Sequence, residues 1–232
     1  PLFLIAAESH QSPDLDALVA TLNAPGIRAI GLSADLGSPA QCRRLVDEAI
    51  AAAGGLDGLI SNAGIVEPAS LATLSIQEWD HVFAVNARAT WLLACHAHEA
   101  LALSRGSIVA IASMSGLIPH PNYGAYSASK AALIMLCRQL AQEWAGDGIR
   151  VNTVSPGMVH TPLTDSIYQD RAAAARRYAM VPLGRVATPA DIAAAAVHLL
   201  GPASAYVTGE NLRVDGGLCD SILGMIPGVA RS

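Results

Sequence analysis

Ser113, Tyr126 and Lys130 are the residues of this 232-residue sequence whose types and spacing could do acid–base chemistry on a substrate oxygen. A free tyrosine titrates near ~10 and is a poor proton carrier at neutral pH, so a cation beside it must favour the phenolate. Lys130 follows Tyr126 by four residues, shares a helix face with it, and can supply that charge. Ser113 stands thirteen residues before Tyr126. Its hydroxyl could hold a substrate oxygen while Tyr126 gives or takes the proton and hydride passes to or from the adjacent carbon. Tyr-x-x-x-Lys alone is common by chance and equally describes a surface helix pair. What decides is the set of elements that must position these side chains.

Apolar runs at 2–7, 28–34, 56–61, 107–112, 149–154 and 210–214 read as strands, with helical patterns between most of them. Pro13-Asp14 opens a helix towards Leu22 that Pro25-Gly26 stops; Ser38-Pro39 opens the next, closed by Gly54-Gly55. Apolar residues at helical spacing predict long helices from about Ser75 to Leu103 and from about Tyr123 to Ala145. Repeated right-handed βα winding makes this an α/β chain with a doubly wound parallel sheet, expected as a single domain over 1–232. No linker or internal repeat divides it. Ser113 then falls at the end of the run Ser107 to Ala112, where open α/β sheets place their ligands.

Composition narrows the partners. Hydrophobic residues are 52% and charged residues 14%, as expected for parallel strands buried on both faces. The net charge of -5 and the lack of a Lys/Arg run give no footprint for nucleic acid or an anionic membrane, which favours a small-molecule partner. Cys42, Cys95, Cys137 and Cys219 are too scattered for a metal site or a disulfide framework, and suit a reducing cytoplasm. His96 and His98 are an i,i+2 pair that cannot easily share a metal, so none is expected. The opening Leu2-Phe3-Leu4-Ile5-Ala6-Ala7 is too short to span a bilayer and lacks the charged start of a signal peptide.

Further marks run in order along the chain: Asp35-Leu36, Asn62-Ala63-Gly64, Val85-Asn86-Ala87, Ser113 with Tyr126-Ser127-Ala128-Ser129-Lys130, Pro156-Gly157-Met158-Val159-His160-Thr161, and Val214-Asp215-Gly216-Gly217. Together they resemble the short-chain dehydrogenase/reductase family over nearly the whole chain. The resemblance implies a Rossmann-type fold and an NAD(P)-dependent oxidoreductase that interconverts a secondary alcohol and a ketone. It also implies that Asp35-Leu36 borders the adenine and that Asn62-Ala63-Gly64 supports the central strand and the cofactor. Asn86 would kink a helix and hold a water in a proton relay through Lys130. The backbone at Val159 and the Thr161 hydroxyl, in the segment from Pro156-Gly157, would bind the nicotinamide end, with Tyr126 and Lys130 also touching the cofactor. On the residues alone, Asn62-Ala63-Gly64 also fits a plain turn after its strand, and Pro156-Gly157 a generic loop.

The family's first strand and glycine-rich turn are expected ahead of Leu2 and are not in the sequence. Glu8-Ser9-His10-Gln11-Ser12-Pro13 has no glycine to bring backbone to a phosphate, so the strand at Leu2 corresponds to the family's second. In a 3-2-1-4-5-6 order, loss of the first strand leaves two hydrogen-bonding edges inside the sheet, and a further N-terminal segment is therefore expected. Glu8 near the end of this strand favours a free ribose hydroxyl, hence NAD, with NADP the alternative.

Between Thr161 and Pro182 lies an Ala-rich, helical insert over about 162–182, where the family carries its substrate lid. Its Arg171, Arg176 and Arg177 could meet an anionic substrate, but their spacing is equally that of a solvated helix face, which is favoured. His120, Tyr123, Met158 and His160 flank the reacting segments and select no single substrate. By resemblance the chain forms a homodimer or homotetramer through its long helices, joined by the apolar tail Ile222 to Val229. Two rival readings are a halohydrin-dehalogenase-like lyase, which would carry Arg in place of Lys130, and a non-catalytic binding protein on the same scaffold.

Overall fold

The computed structural model describes residues 2–9, 12–23 and 27–226. Strand β1 (Leu2–Glu8) is followed by helix α1 (Pro13–Leu22), whose N-cap Ser12 side chain accepts a hydrogen bond from the Leu15 backbone at 3.1 Å. The Pro25-Gly26 stop lies outside the described residues. Strand β2 (Ile27–Ser33) leads to helix α2 (Pro39–Ala53), which starts on proline and is capped by Gly54, as the sequence predicts. Strand β3 (Gly58–Ser61) is two residues shorter at its start than expected.

The predicted helix from Ser75 to Leu103 forms in pieces. Helix α3 (Ile76–Phe83) opens on a capping box between Ser75 and Glu78, a five-residue π-turn spans Ala84–Arg88, and helix α4 (Ala89–Ser104) continues from it. Asn86 sits in the π-turn, which re-aims its side chain relative to a straight helix. Strand β4 (Ser107–Ile111) comes next, and helix α5 (Tyr126–Trp144) starts at Tyr126 rather than Tyr123. Asn122 and Gly124 have φ of 63° and 53°, left-handed values that no α-helix accommodates. Strand β5 (Arg150–Pro156), the short helices α6 (Asp165–Gln169) and α7 (Arg171–Met180), helix α8 (Pro189–Leu200) and strand β6 (Asn211–Val214) complete the described elements. The helical insert is thus two pieces, broken where Asp170 leaves the helix to cap α7 through Ala172 and Ala173.

All strand pairs are parallel. They form a β1-β2 pair and a four-stranded β3-β4-β5-β6 sheet, so β1 bonds only to β2 and β3 only to β4 among the described residues. One core layer packs α2, α4 and α5 on the sheet around Leu101, Ile108, Leu133 and Val151, each at most 1% exposed. A second packs α8 against the other face around Val109, Val154 and Leu199. Helices on both faces explain the near-continuous apolar strands, and each such side chain contributes about 1.5–3 kcal/mol on burial. No described helix is long and apolar enough to cross a membrane.

Candidate active site

Ser113 follows β4 in extended conformation and Tyr126 is the first residue of α5, so a strand end and a helix start bring the two together. The Ser113 hydroxyl accepts the Ser115 N–H at 3.1 Å and acts on the Tyr126 phenol. Lys130 is 3% exposed, one turn along α5, with its ammonium donating to the Ile111 carbonyl at 2.8 Å. Its Nζ lies 5.9 Å from the centre of the Tyr126 ring. Burial pushes the Tyr126 phenol above its ordinary value; the Ser113 hydroxyl acts against that rise and Tyr123 adds to it. Burial also lowers the Lys130 ammonium to about 8. The ammonium is directed at the Ile111 carbonyl, and desolvation is the largest influence on both groups.

Asn86 is 1% exposed and hydrogen-bonded through both its amide oxygen and its amide nitrogen. Its Oδ1 accepts the Ile65 N–H at 2.8 Å, and its Nδ2 donates to the Ile65 carbonyl at 2.9 Å and to Ser129 Oγ at 3.0 Å. The π-turn thereby ties α5, through Ser129, to the segment just after Asn62-Ala63-Gly64. A Cβ on Gly64 would stand 3.1 Å from Lys130 Nζ and 3.3 Å from Asn86 Oδ1, so this segment lies against the lysine and the asparagine. Asn62, Ala63 and Gly64 themselves are exposed at the C-terminal end of β3.

The segment after β5 is pinned as closely. A Cβ on Gly157 would fall 2.7 Å from the Asp215 Cα, so the backbones of Pro156-Gly157 and Val214-Asp215 are in direct contact. Val159 forms an isolated parallel bridge with Ala187, made by the His160 N–H to Ala187 and the Ala187 N–H to Met158, both at 2.9 Å. That pairing leaves the Val159 N–H without a partner among the described residues. The Thr161 hydroxyl is 3.3 Å from Thr164 Oγ1. His160, Thr161, Pro162 and Asp165 line an open hollow of about 440 Å³. Asp35 is exposed, and its carboxylate accepts the Gly37 N–H at 2.8 Å; Leu36 packs partly against the core. Glu8 closes β1, and its side chain lies outside the described part of the structure.

The sequence places His120 and Tyr123 only beside the reacting segments; in the structure their rings stack with centres 3.5 Å apart and Tyr123 sits 6.3 Å from Tyr126. His120 Nδ1 is 3.1 Å from the buried Ser115 hydroxyl. Nothing in their spacing announces this, since the Pro121-Asn122 turn makes the contact.

A family model described as enoyl-(acyl carrier protein) reductase matches residues 4–219. The chain belongs to the short-chain dehydrogenase/reductase family. It is accordingly an NAD(P)-dependent oxidoreductase of the class acting on CH–OH groups. It is 41% identical over 200 residues to an inactive 2-(S)-hydroxypropyl-CoM dehydrogenase of Xanthobacter autotrophicus, covering 83% of this chain and 86% of that one. It is 35% identical to the D-threitol dehydrogenase of Mycolicibacterium smegmatis, over 92% of this chain and 82% of the relative. Among solved structures, a provisionally assigned NAD(P)-dependent gluconate 5-dehydrogenase of Beutenbergia cavernae, with NADP bound at low occupancy, superposes with a TM-score of 0.85 at 32% identity. The match covers 95% of this chain and 97% of that one.

Proposed function

We propose that this short-chain dehydrogenase/reductase interconverts a secondary alcohol and its ketone, with Tyr126 as the general acid/base. The observation that carries this reading is the convergence of Ser113, Tyr126 and Lys130 between the end of β4 and the start of α5, with Asn86 and Gly64 against the lysine. The residues present fit a nicotinamide cofactor: the exposed Asn62-Ala63-Gly64 turn lies beside Lys130, and the Val159 N–H, next to an open hollow, has no partner among the described residues. Those residues, with Pro156, Gly157 and Thr161, would hold its nicotinamide half, and Asp35 and Leu36 would border the adenine. When bound, NAD(P) supplies the hydride acceptor or donor.

The chain's own groups handle the proton. Ser113 holds the substrate oxygen, and Tyr126 takes its proton in oxidation or returns it in reduction. Lys130 stabilises the phenolate that oxidation requires, and Asn86, through Ser129 and Ile65, fixes the lysine's helix relative to the cofactor turn. Glu8 at the end of β1 supports NAD over NADP. Residues 162–182 act as the substrate lid. Trp91 and Leu103 on α4 and Met135 on α5 are exposed large apolar side chains, which supports a homodimer or homotetramer through these helices.

The Xanthobacter relative named as inactive favours a second reading, a non-catalytic scaffold. The complete Ser113, Tyr126 and Lys130 set favours the enzyme. A panel of secondary alcohols and ketones, assayed with NAD and with NADP by nicotinamide absorbance, tests the choice. Turnover of at least one pair is expected, faster with NAD; no turnover of any member with either cofactor would refute it.

A further inference from the structure

The three arginines of the insert differ in their surroundings. Arg171 and Arg176 are exposed, as a solvated helix face requires, but Arg177 is half-buried. Its guanidinium lies over the Tyr168 ring, 5.6 Å from the centre, and donates to the Tyr168 hydroxyl at 3.3 Å. Both partners are one neutral side chain. Among the described residues the other half-buried arginine is Arg150, which is saturated by the carbonyls of Leu199, Leu200, Gly201 and Ser204. No carboxylate lies within salt-bridge distance of Arg177 among the described residues, and the nearby acids are occupied: Asp165 accepts from Gln169 and pairs with His160 at 2.9 Å, while Asp170 caps α7. A half-buried cation with only a phenol for company retains a strong attraction for an anion.

Its position points that attraction at the reacting groups. Tyr168 packs on His160, ring centres 4.4 Å apart, and His160 lines the hollow beyond β5. On the other side, the Arg177 charge reaches His120, whose imidazole is lowered first by burial and then by this arginine, and His120 stacks on Tyr123 beside Tyr126. We propose that Arg177 is the specificity residue for an anionic substrate, a secondary alcohol or ketone whose far end carries a carboxylate or sulfonate. This rests on the oxidoreductase reading above. Tyr168 would hold the guanidinium in place by its ring and hydroxyl, leaving the remaining N–H groups for a bidentate contact.

The test uses lactate, 3-hydroxybutyrate, 4-hydroxypentanoate and 2-hydroxypropanesulfonate, each beside its neutral amide. The panel varies both the distance from the carbinol to the anion and the kind of anion. For at least one pair the acid should have kcat/KM about tenfold or more above its amide, carried by KM. Arg177→Gln should erase that preference by lowering kcat/KM for the acid about tenfold more than for its amide, and Arg177→Lys should restore part of it. Titration calorimetry of the same acids reads the contact independently of turnover: binding to wild type should weaken by a similar factor in Arg177→Gln. Catalysis could thus fail with the anion contact intact, or the reverse. Amides handled as well as their acids throughout, or acid KM and binding unmoved by Arg177→Gln, would overturn the proposal.

Discussion

Replacing Lys130 by methionine should make the folded chain more stable at neutral pH while destroying its chemistry, and the pH dependence of that gain follows from the geometry. Burial lowers the ammonium from its ordinary 10.5 to about 8. Below about 8 the folded and unfolded chains both carry the charge, and the fold bears the whole cost of burying it. Between about 8 and 10.5 the folded chain releases its proton while the unfolded chain keeps it, so stability rises with pH and the cost is gone above 10.5. At ~1.4 kcal/mol per pH unit that cost amounts to about 3 kcal/mol. Methionine removes it but also forfeits the bond to the Ile111 carbonyl, worth about 1–2 kcal/mol, so a net gain of about 1–2 kcal/mol is expected at pH 7. Cys137, pushed up to about 12, and Cys219, pushed up to about 11, lose stability as pH rises, but they are common to both proteins and cancel in the difference. Urea unfolding of wild type and Lys130→Met across the neutral to alkaline range measures that difference. The wild-type curve should gain on the variant by about 3 kcal/mol between those pH limits. Parallel curves would show that the ammonium is not buried at a cost and would refute the reasoning.

Gly64→Ala would set a methyl 3.1 Å from Lys130 Nζ, and displacing the lysine should reduce kcat/KM by about tenfold to a hundredfold, with little change in unfolding midpoint. Asn86→Ala strands both polar groups of Ile65 and loses the bond to Ser129, and should cost about 2–4 kcal/mol in denaturant unfolding. Gly157→Ala brings a Cβ to 2.7 Å from the Asp215 Cα, which only backbone movement can relieve, and should lower stability by about 1–3 kcal/mol by the same measurement. Because burial raises the Tyr126 phenol, alcohol oxidation should climb with pH through the alkaline range; carbonyl reduction, which needs the protonated phenol, should not, as initial rates in both directions will show.

The strands and the helix starts at Pro13 and Pro39 were legible because apolar runs and Ser-Pro junctions act locally. So were Ser113 at a strand end and the Tyr126/Lys130 pair on one helix, which need only a period and a boundary. The π-turn at Ala84–Arg88 was not legible in periodicity and came from resemblance alone, because its cause is tertiary: Asn86 turned to meet Ile65 and Ser129. The late start of α5 was missed because two left-handed residues at 122 and 124 leave no mark in hydrophobic spacing. Arg177 was indistinguishable from Arg176 in sequence; what separates them is Tyr168, brought over the guanidinium by the break at Asp170.

The central claim, that Tyr126 transfers the proton, is tested most directly by Tyr126→Phe with a substrate found in the alcohol and ketone panel. The phenyl ring keeps the packing against Tyr123 and loses only the hydroxyl. Turnover should fall by about a hundredfold or more while the urea midpoint stays near that of wild type. Turnover within a few-fold of wild type, by a folded variant, would contradict the account.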